Sequence, residues 1–131
     1  MAIIVGYTPT PEGEAALEHA VMGASAHTED LAVINVSATS NPPEKTFTTE
    51  RDLAHVDGAL SRSGVPFTIR LLVRGKDAAQ QIVELASEVV ASLIVIGLRH
   101  RTAVGKLLLG SNSQQILLDA ACPAVAVKAR R

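Results

Sequence analysis

Basic residues and glycines cluster in one segment of the chain, from Gly97 to Ser111. Arg99, His100, Arg101 and Lys106 lie within eight residues, and no acidic residue stands among them. The segment also contains three glycines, and a helix is predicted to begin at its end. Basic side chains next to a helix start are typical of a site for an anion. The segment therefore predicts a place where the protein holds a phosphate or a similar group.

The start of that helix carries its own signals. Ser111 is followed by Gln114 three residues later, which is the capping-box pattern. Gly110 lets the backbone approach a phosphate closely, and the hydroxyls of Ser111 and Ser113 can donate hydrogen bonds to it. The glycine spacing is not that of a Walker A loop. The pattern thus favours phosphate binding without naming a class of phosphate-binding protein.

Five short apolar runs predict the strands that must position this segment. They are Ala2–Val5, Leu31–Val36, Phe67–Val73, Leu93–Ile96 and Ala124–Val127. Four of them are almost continuously apolar, which is typical of strands buried on both faces of a parallel sheet. The third run alternates apolar with polar residues and is predicted to lie nearer an edge of the sheet.

Helical patterns separate the strands. Thr10 and Pro11 predict the start of the first helix, the second covers roughly Glu44 to Ser63 and ends at Gly64, Asp77 caps the third, and Ser111 opens the fourth. Strands that alternate with helices predict an open, five-stranded parallel sheet with helices on both faces. No linker or repeat divides the chain, so residues 1–131 are predicted to form one α/β domain.

The composition argues against several classes of partner. Only 2% of the residues are aromatic, which leaves almost no stacking surface for single-stranded nucleic acid. The net charge is -1 and the charges are interspersed, so neither DNA nor an anionic membrane is an expected partner. No apolar run approaches the ~20 residues of a membrane span. With Cys122 as the single cysteine, no internal disulfide is possible, and we expect a cytoplasmic protein.

Two stretches of the chain resemble the universal stress protein family. Ile3–Thr10, followed by a helix and Leu31–Val36, is similar to the first β-α-β unit of that family. Ile96–Ser111 and the closing Cys122–Lys128 look like its C-terminal half. The chain is therefore identified as a member. The resemblance implies a Rossmann-like parallel sheet, a homodimer, and a cleft for ATP or AMP at the carboxyl ends of the first and fourth strands.

Nucleotide-binding members of the family carry a glycine, two residues, a second glycine, nine residues, and then Gly-Ser or Gly-Thr. Here Gly97 takes the first place, Gly110 the third and Ser111 the hydroxyl place. His100 stands at the second glycine, and Thr8 stands where those members usually have an aspartate. The His100 side chain can either contact phosphate or obstruct the cleft, and the sequence leaves both possibilities open.

The resemblance implies a set of residues for each part of the nucleotide. Adenine and ribose are expected against Gly6, Tyr7, Thr8 and Val36, and the phosphates against Gly97, Arg99, His100, Gly110, Ser111, Asn112 and Ser113. The leading hypothesis is a non-catalytic stress-response module that binds an adenine nucleotide. The alternative is a dimeric scaffold that binds no nucleotide and acts through an unidentified protein partner.

Enzymatic activity and metal binding have less support. The basic segment contains no carboxylate to hold magnesium, which phosphoryl transfer usually needs. A weak ATPase is therefore the third hypothesis and the least supported. No His or Cys spacing of a metal site is present.

The last strand is predicted to form the homodimer. In this family it lies at the edge of the sheet, and an apolar edge favours pairing with a second subunit. The residues concerned are Ala124, Val125, Ala126 and Val127.

Overall fold

The computed structural model describes residues 1–35, 50–71, 77–101, 106–108 and 111–129. In chain order the elements are β1 (Ala2–Tyr7), α1 (Pro11–His27), β2 (Asp30–Asn35), α2 (Glu50–Ser63), β3 (Phe67–Leu71), α3 (Ala78–Glu88), β4 (Ala91–Arg101), β5 (Lys106–Leu108), α4 (Ser111–Asp119) and β6 (Ala124–Lys128). The predicted alternation of strands and helices is confirmed, with β5 as an additional short strand.

The predicted five-stranded parallel sheet is also confirmed. Strand β1 pairs with β2 on one side and with β4 on the other, while β2 pairs with β3 and β4 with β6, all in parallel. Strand β3 lies at an edge, as its alternating pattern predicts. The strand order reverses between β1 and β4, because the chain moves outward through β2 and β3 on one side and through β6 on the other. In open α/β sheets, ligands bind at such a reversal, outside the carboxyl ends of the strands.

The segment predicted as one long loop after Ile96 is in large part a β-hairpin. Strand β4 continues to Arg101, and β5 pairs antiparallel with its end. The prediction of a continuous loop from Gly97 to Ser111 is therefore wrong. Pairing gives the backbone groups of the basic residues their hydrogen bonds, and the apolar run at Leu107 supplies residues suited to a strand. Gly97 and the charges that follow it concealed this extension from the sequence pattern.

The core has two layers, one on each face of the sheet. Ile3, Val5 and Val95 pack with residues of α1 and α2 on what we call the α1 face. Ile4 and Ile94 pack with residues of α3 and α4 on the opposite α3 face. Successive residues of a strand alternate between the two faces, so each central strand is buried on both sides.

The helix boundaries largely follow the predicted capping residues. The Thr10 side chain accepts a hydrogen bond from the Gly13 backbone N at 3.1 Å, and Pro11 is the first helical residue of α1. The Asp77 carboxylate accepts from the Ala79 N at 3.3 Å and caps α3. Gly64 follows α2 with a φ of 78°, a conformation that favours glycine. The predicted residues 44–49 of the second helix, with 36, 72 and 73 of the second and third strands, lie outside the described residues.

Candidate functional site

The turn between β1 and α1 lies at the carboxyl end of β1, where the strand order reverses. Hydrogen bonds fix its shape: the Thr10 N donates to the Thr8 carbonyl at 2.8 Å, and the hydroxyls of the same two threonines lie 2.7 Å apart. Because Thr10 also caps α1, the first turn of that helix begins directly at the crevice between β1 and β4. Pro11 has no N–H, and the N–H groups of Gly13 and Glu14 are bonded to Thr10. The start of α1 therefore has few free N–H groups for an anion.

Two glycines allow the first turn of α1 to pack closely against β4 and against the turn that follows β1. A Cβ added at Gly13 would lie 1.9 Å from the Thr8 carbonyl oxygen, and one added at Gly97 would lie 2.7 Å from the carbonyl oxygen of Glu12. Neither position has room for a side chain. Gly97, predicted to contact phosphate, thus has a structural role as well, since it lets α1 pack closely on β4.

Gly13 and Glu12 were not among the predicted site residues. The only signal in the sequence was a glycine at the third position of a helix, where a better helix former would be expected. The structure also brings Glu12 against Gly97 of β4, next to a segment whose charged residues are all basic.

The Tyr7 side chain is directed into the core of the α1 face rather than into the crevice. It is 2% exposed, and its hydroxyl donates a hydrogen bond to the Glu14 carboxylate. The other oxygen of Glu14 lies 3.2 Å from Nε2 of His55 on α2. These two side-chain contacts link β1 to both α1 and α2. At the crevice, Gly6 and Tyr7 therefore have only backbone atoms available to a ligand.

The register of β4 assigns the predicted phosphate residues to faces of the strand. Ile96 packs on the α3 face, and Gly97 faces α1. By alternation, positions 99 and 101 lie on the α1 face and position 100 on the α3 face. The position of His100 is therefore opposite to that of Gly97.

The remaining predicted residues lie at the start of α4 or outside the described part. Ser111 and Asn112 begin α4, and the half-buried Ser113 follows in the same turn. Val36 and Gly110 lie outside the described residues.

Within residues 1–35, 50–71, 77–101, 106–108 and 111–129, no group of three or more His, Cys, Asp or Glu could hold a metal ion. In the same ranges, no helix is long and apolar enough to cross a bilayer. Burial raises the pKa of the half-buried Cys122 thiol, because a thiolate is less well solvated there.

The parallel sheet, its reversal between β1 and β4, and the helix that begins there define a Rossmann-like α/β protein. The family model for the "Universal stress protein family" matches residues 1–128. The chain is 42% identical over 126 residues to a universal stress protein of Mycolicibacterium smegmatis, with 96% of each chain covered. This chain belongs to the universal stress protein family.

Solved structures agree with that assignment. A universal stress protein from Archaeoglobus fulgidus superposes with a TM-score of 0.74 at 27% identity, covering 97% of each chain. A structure from the same organism "in complex with dAMP" has a TM-score of 0.70 at 24% identity, with 97% of this chain and 96% of that one covered. A universal stress protein "in complex with cAMP" has a TM-score of 0.73 at 22% identity, with 99% and 98% covered.

Proposed function

We propose that this protein binds an adenine nucleotide, ATP or AMP, in the crevice between the carboxyl ends of β1 and β4, and that it acts as a non-catalytic stress-response module. The observation that carries the proposal is the reversal of the strand order between β1 and β4, with the β1–α1 turn at the carboxyl end of β1. Ligands of open α/β sheets bind at such a reversal, outside the carboxyl ends of the strands.

Relatives of the same fold support the choice of an adenine nucleotide. The Archaeoglobus protein solved with dAMP and the protein solved with cAMP both hold adenine mononucleotides. Their sheets superpose on this one over nearly the whole chain.

The proposed ligand contacts fall into two groups, one for adenine and ribose and one for the phosphates. Adenine and ribose would lie against the backbone of Gly6 and Tyr7, against Thr8, and against Val36. The phosphates would lie toward Gly97 and the start of α4, where Ser111 and Ser113 offer hydroxyls. No metal is part of this proposal.

The direct test is calorimetry and thermal melting of the full chain with ATP, AMP and cyclic AMP. A ligand at 100 times its Kd stabilises the folded state by about 2.7 kcal/mol, which raises the Tm by roughly 10 °C for a domain of this size. The absence of both heat and a Tm shift at millimolar concentrations of all three nucleotides would overturn the proposal.

We infer that the functional unit is a homodimer joined through β6. Among the described strands, β6 pairs with β4 alone, so its other edge is available. Its residues Ala124, Val125, Ala126 and Val127 are all apolar and only half-buried. Antiparallel pairing of two β6 strands would give the free N–H and C=O groups partners.

Amide hydrogen exchange distinguishes the dimer from a monomer without any substitution. In a dimer, the amides on the free edge of β6 are protected, and the protection declines on dilution as the dimer dissociates. Sedimentation at the same concentrations measures the mass. Fast exchange of those amides at millimolar protein, together with a monomer mass, would overturn the dimer. A dimer that binds no nucleotide would instead favour the scaffold function.

A further inference from the structure

Strand β3 lies at the edge of the sheet that is opposite to β6. Among the described strands it pairs with β2 alone, so its other side has no strand beside it. An unpaired strand edge presents a row of backbone N–H and C=O groups, which is a template for another extended chain.

A backbone hydrogen bond fixes which groups of β3 point outward. The Leu31 N donates to the Pro66 carbonyl at 2.9 Å, and in a parallel ladder the Leu31 carbonyl then accepts from the Thr68 N. Every second residue of β3 from Thr68 onward therefore directs its backbone groups toward β2. The N–H and C=O groups of Phe67 and Ile69 point away from the sheet and lack strand partners there.

The side chains of β3 alternate between two surfaces of different character. Phe67 and Ile69 are half-buried and pack against the core of the α1 face. Thr68 and Arg70 are exposed on the α3 face, where Thr68 lies in register with Ala32. A strand added to this edge would find apolar side chains on one of its faces and polar ones on the other.

A groove of about 370 Å³ lies beside β3 and includes Thr68 and Arg70 in its lining. Helix α3 packs over β1 and β4, and its end contributes Val89 to the groove. The helix therefore does not cover the α3 face of β3. The groove gives room for the side chains that an added strand would direct to that face.

The groove carries one basic side chain and one acidic side chain, at different levels. Arg70 has no carboxylate partner in the part of the chain that the structure describes. Asp30, which is also exposed, lies four positions nearer the amino ends of the strands, roughly 13 Å along the sheet. A bound chain that complements these charges has an acidic residue beside Arg70 and no acidic residue near Asp30.

We propose that the outer edge of β3 binds an extended segment of a partner protein by β-strand addition. The segment has apolar residues at alternate positions, facing the side of Phe67 and Ile69, and an acidic residue between them that pairs with Arg70. Backbone hydrogen bonds to Phe67 and Ile69 supply affinity, and the alternating side chains supply specificity. The edge is separate from the crevice between β1 and β4, so this inference goes beyond nucleotide binding and does not depend on it.

Amide hydrogen exchange on the full chain, measured by NMR, tests the inference with a synthetic peptide, acetyl-Val-Thr-Val-Glu-Val-Thr-amide. In the free protein we expect fast exchange at Phe67 and Ile69 and slow exchange at Thr68 and Arg70, whose amides bond to β2. Saturating peptide should slow the first two amides about tenfold and leave the other two nearly unchanged. The alternation identifies strand addition, because binding through side chains alone does not protect every second amide.

Two substitutions test the charge pair. Arg70→Gln should weaken the peptide about threefold, because a cross-strand ion pair is lost. Lys128 provides the matched control, since it is an exposed basic residue at the end of the other edge strand, β6. Lys128→Gln should leave the peptide affinity unchanged. A peptide with lysine in place of its glutamate should bind more weakly to the parent chain than to Arg70→Gln. Circular dichroism melts of both variants show whether folding is altered.

Three results would overturn the inference. The first is unchanged exchange at Phe67 and Ile69 with millimolar peptide. The second is equal binding of the same peptide with all its amides N-methylated, which cannot donate to the strand edge. The third is tighter binding to Arg70→Gln, because the charge would then serve to keep other strands away from the edge. Nucleotide titrations of the same protein test the proposed function separately, whichever result the peptide gives.

Discussion

Replacing Gly13 by alanine is expected to lower the free energy of unfolding, although alanine is the better helix former. Inside a helix, Gly→Ala is worth about 1 kcal/mol of added stability on propensity alone. At this position the new Cβ would lie 1.9 Å from the carbonyl oxygen and 2.6 Å from the hydroxyl of Thr8. The carbonyl is backbone and cannot turn aside as a flexible side chain does. The first turn of α1 must therefore move away from the turn that precedes it.

The free energy lost through that movement is larger than the gain in helix propensity. Overpacking against a fixed neighbour costs about 1–3 kcal/mol, and a contact this short belongs at the upper end. Displacing the turn also loosens the hydrogen bond from the Gly13 N to Thr10. Subtracting the propensity gain leaves a net loss of about 2 kcal/mol, or a fall in Tm of roughly 8 °C for a domain of this size.

Gly58 offers the matched control on α2. A Cβ there would meet only the guanidinium end of Arg62, at 3.3 Å, and Arg62 is exposed and can move. Gly58→Ala is therefore expected to stabilise the protein by about 0.5–1 kcal/mol. Urea unfolding of both variants, with unchanged m-values, gives the comparison. A Gly13→Ala protein as stable as the parent would refute the close packing of α1 on the β1 turn.

Further outcomes can be measured in the same way. Thr10→Ala should lower the free energy of unfolding in urea by about 1 kcal/mol through loss of the cap of α1, whereas Thr10→Ser should retain it. Tyr7→Phe should cost about 0.5–1.5 kcal/mol, because the buried hydroxyl loses Glu14, and should leave nucleotide affinity unchanged. His100→Gly should leave ATP affinity within about twofold, since its position lies on the α3 face; a tenfold change measured by calorimetry would place it in the ligand site. The raised pKa of Cys122 leaves less thiolate at pH 8, so iodoacetamide should alkylate it more slowly in the folded protein than in urea; equal rates would contradict its burial.

The parallel sheet could be predicted from the sequence because a strand that is buried on both faces needs a continuous run of apolar residues, and such a run is visible locally. Runs such as Ile3–Val5 and Leu31–Ile34 are continuously apolar, and both are buried throughout. Caps such as Thr10 and Asp77 are equally local, since each bonds to a residue two or three positions along.

The hairpin and the role of Gly97 could not be predicted in this way. The strand character of residues 99–101 depends on a partner that follows in the chain and contributes three residues, Lys106–Leu108. Gly97 meets Glu12 from the other end of the chain, a contact that no local pattern records. Both features depend on which segments meet in the folded sheet.

The position of Gly97 also decides which observations can support nucleotide binding. Its lack of a side chain is required by the packing of α1, whether or not a phosphate is present. Ser111 likewise stands at the start of a helix, where a serine is common for reasons of capping alone. Matching the family motif at these two positions is therefore expected even of a member that binds nothing.

Substituting Gly97 would disturb folding and binding together, because any side chain there meets the backbone of Glu12. Loss of nucleotide binding in a Gly97 variant would therefore not show that Gly97 contacts the ligand. The heat of binding measured on the unsubstituted chain is for that reason the more specific measure of function in this protein.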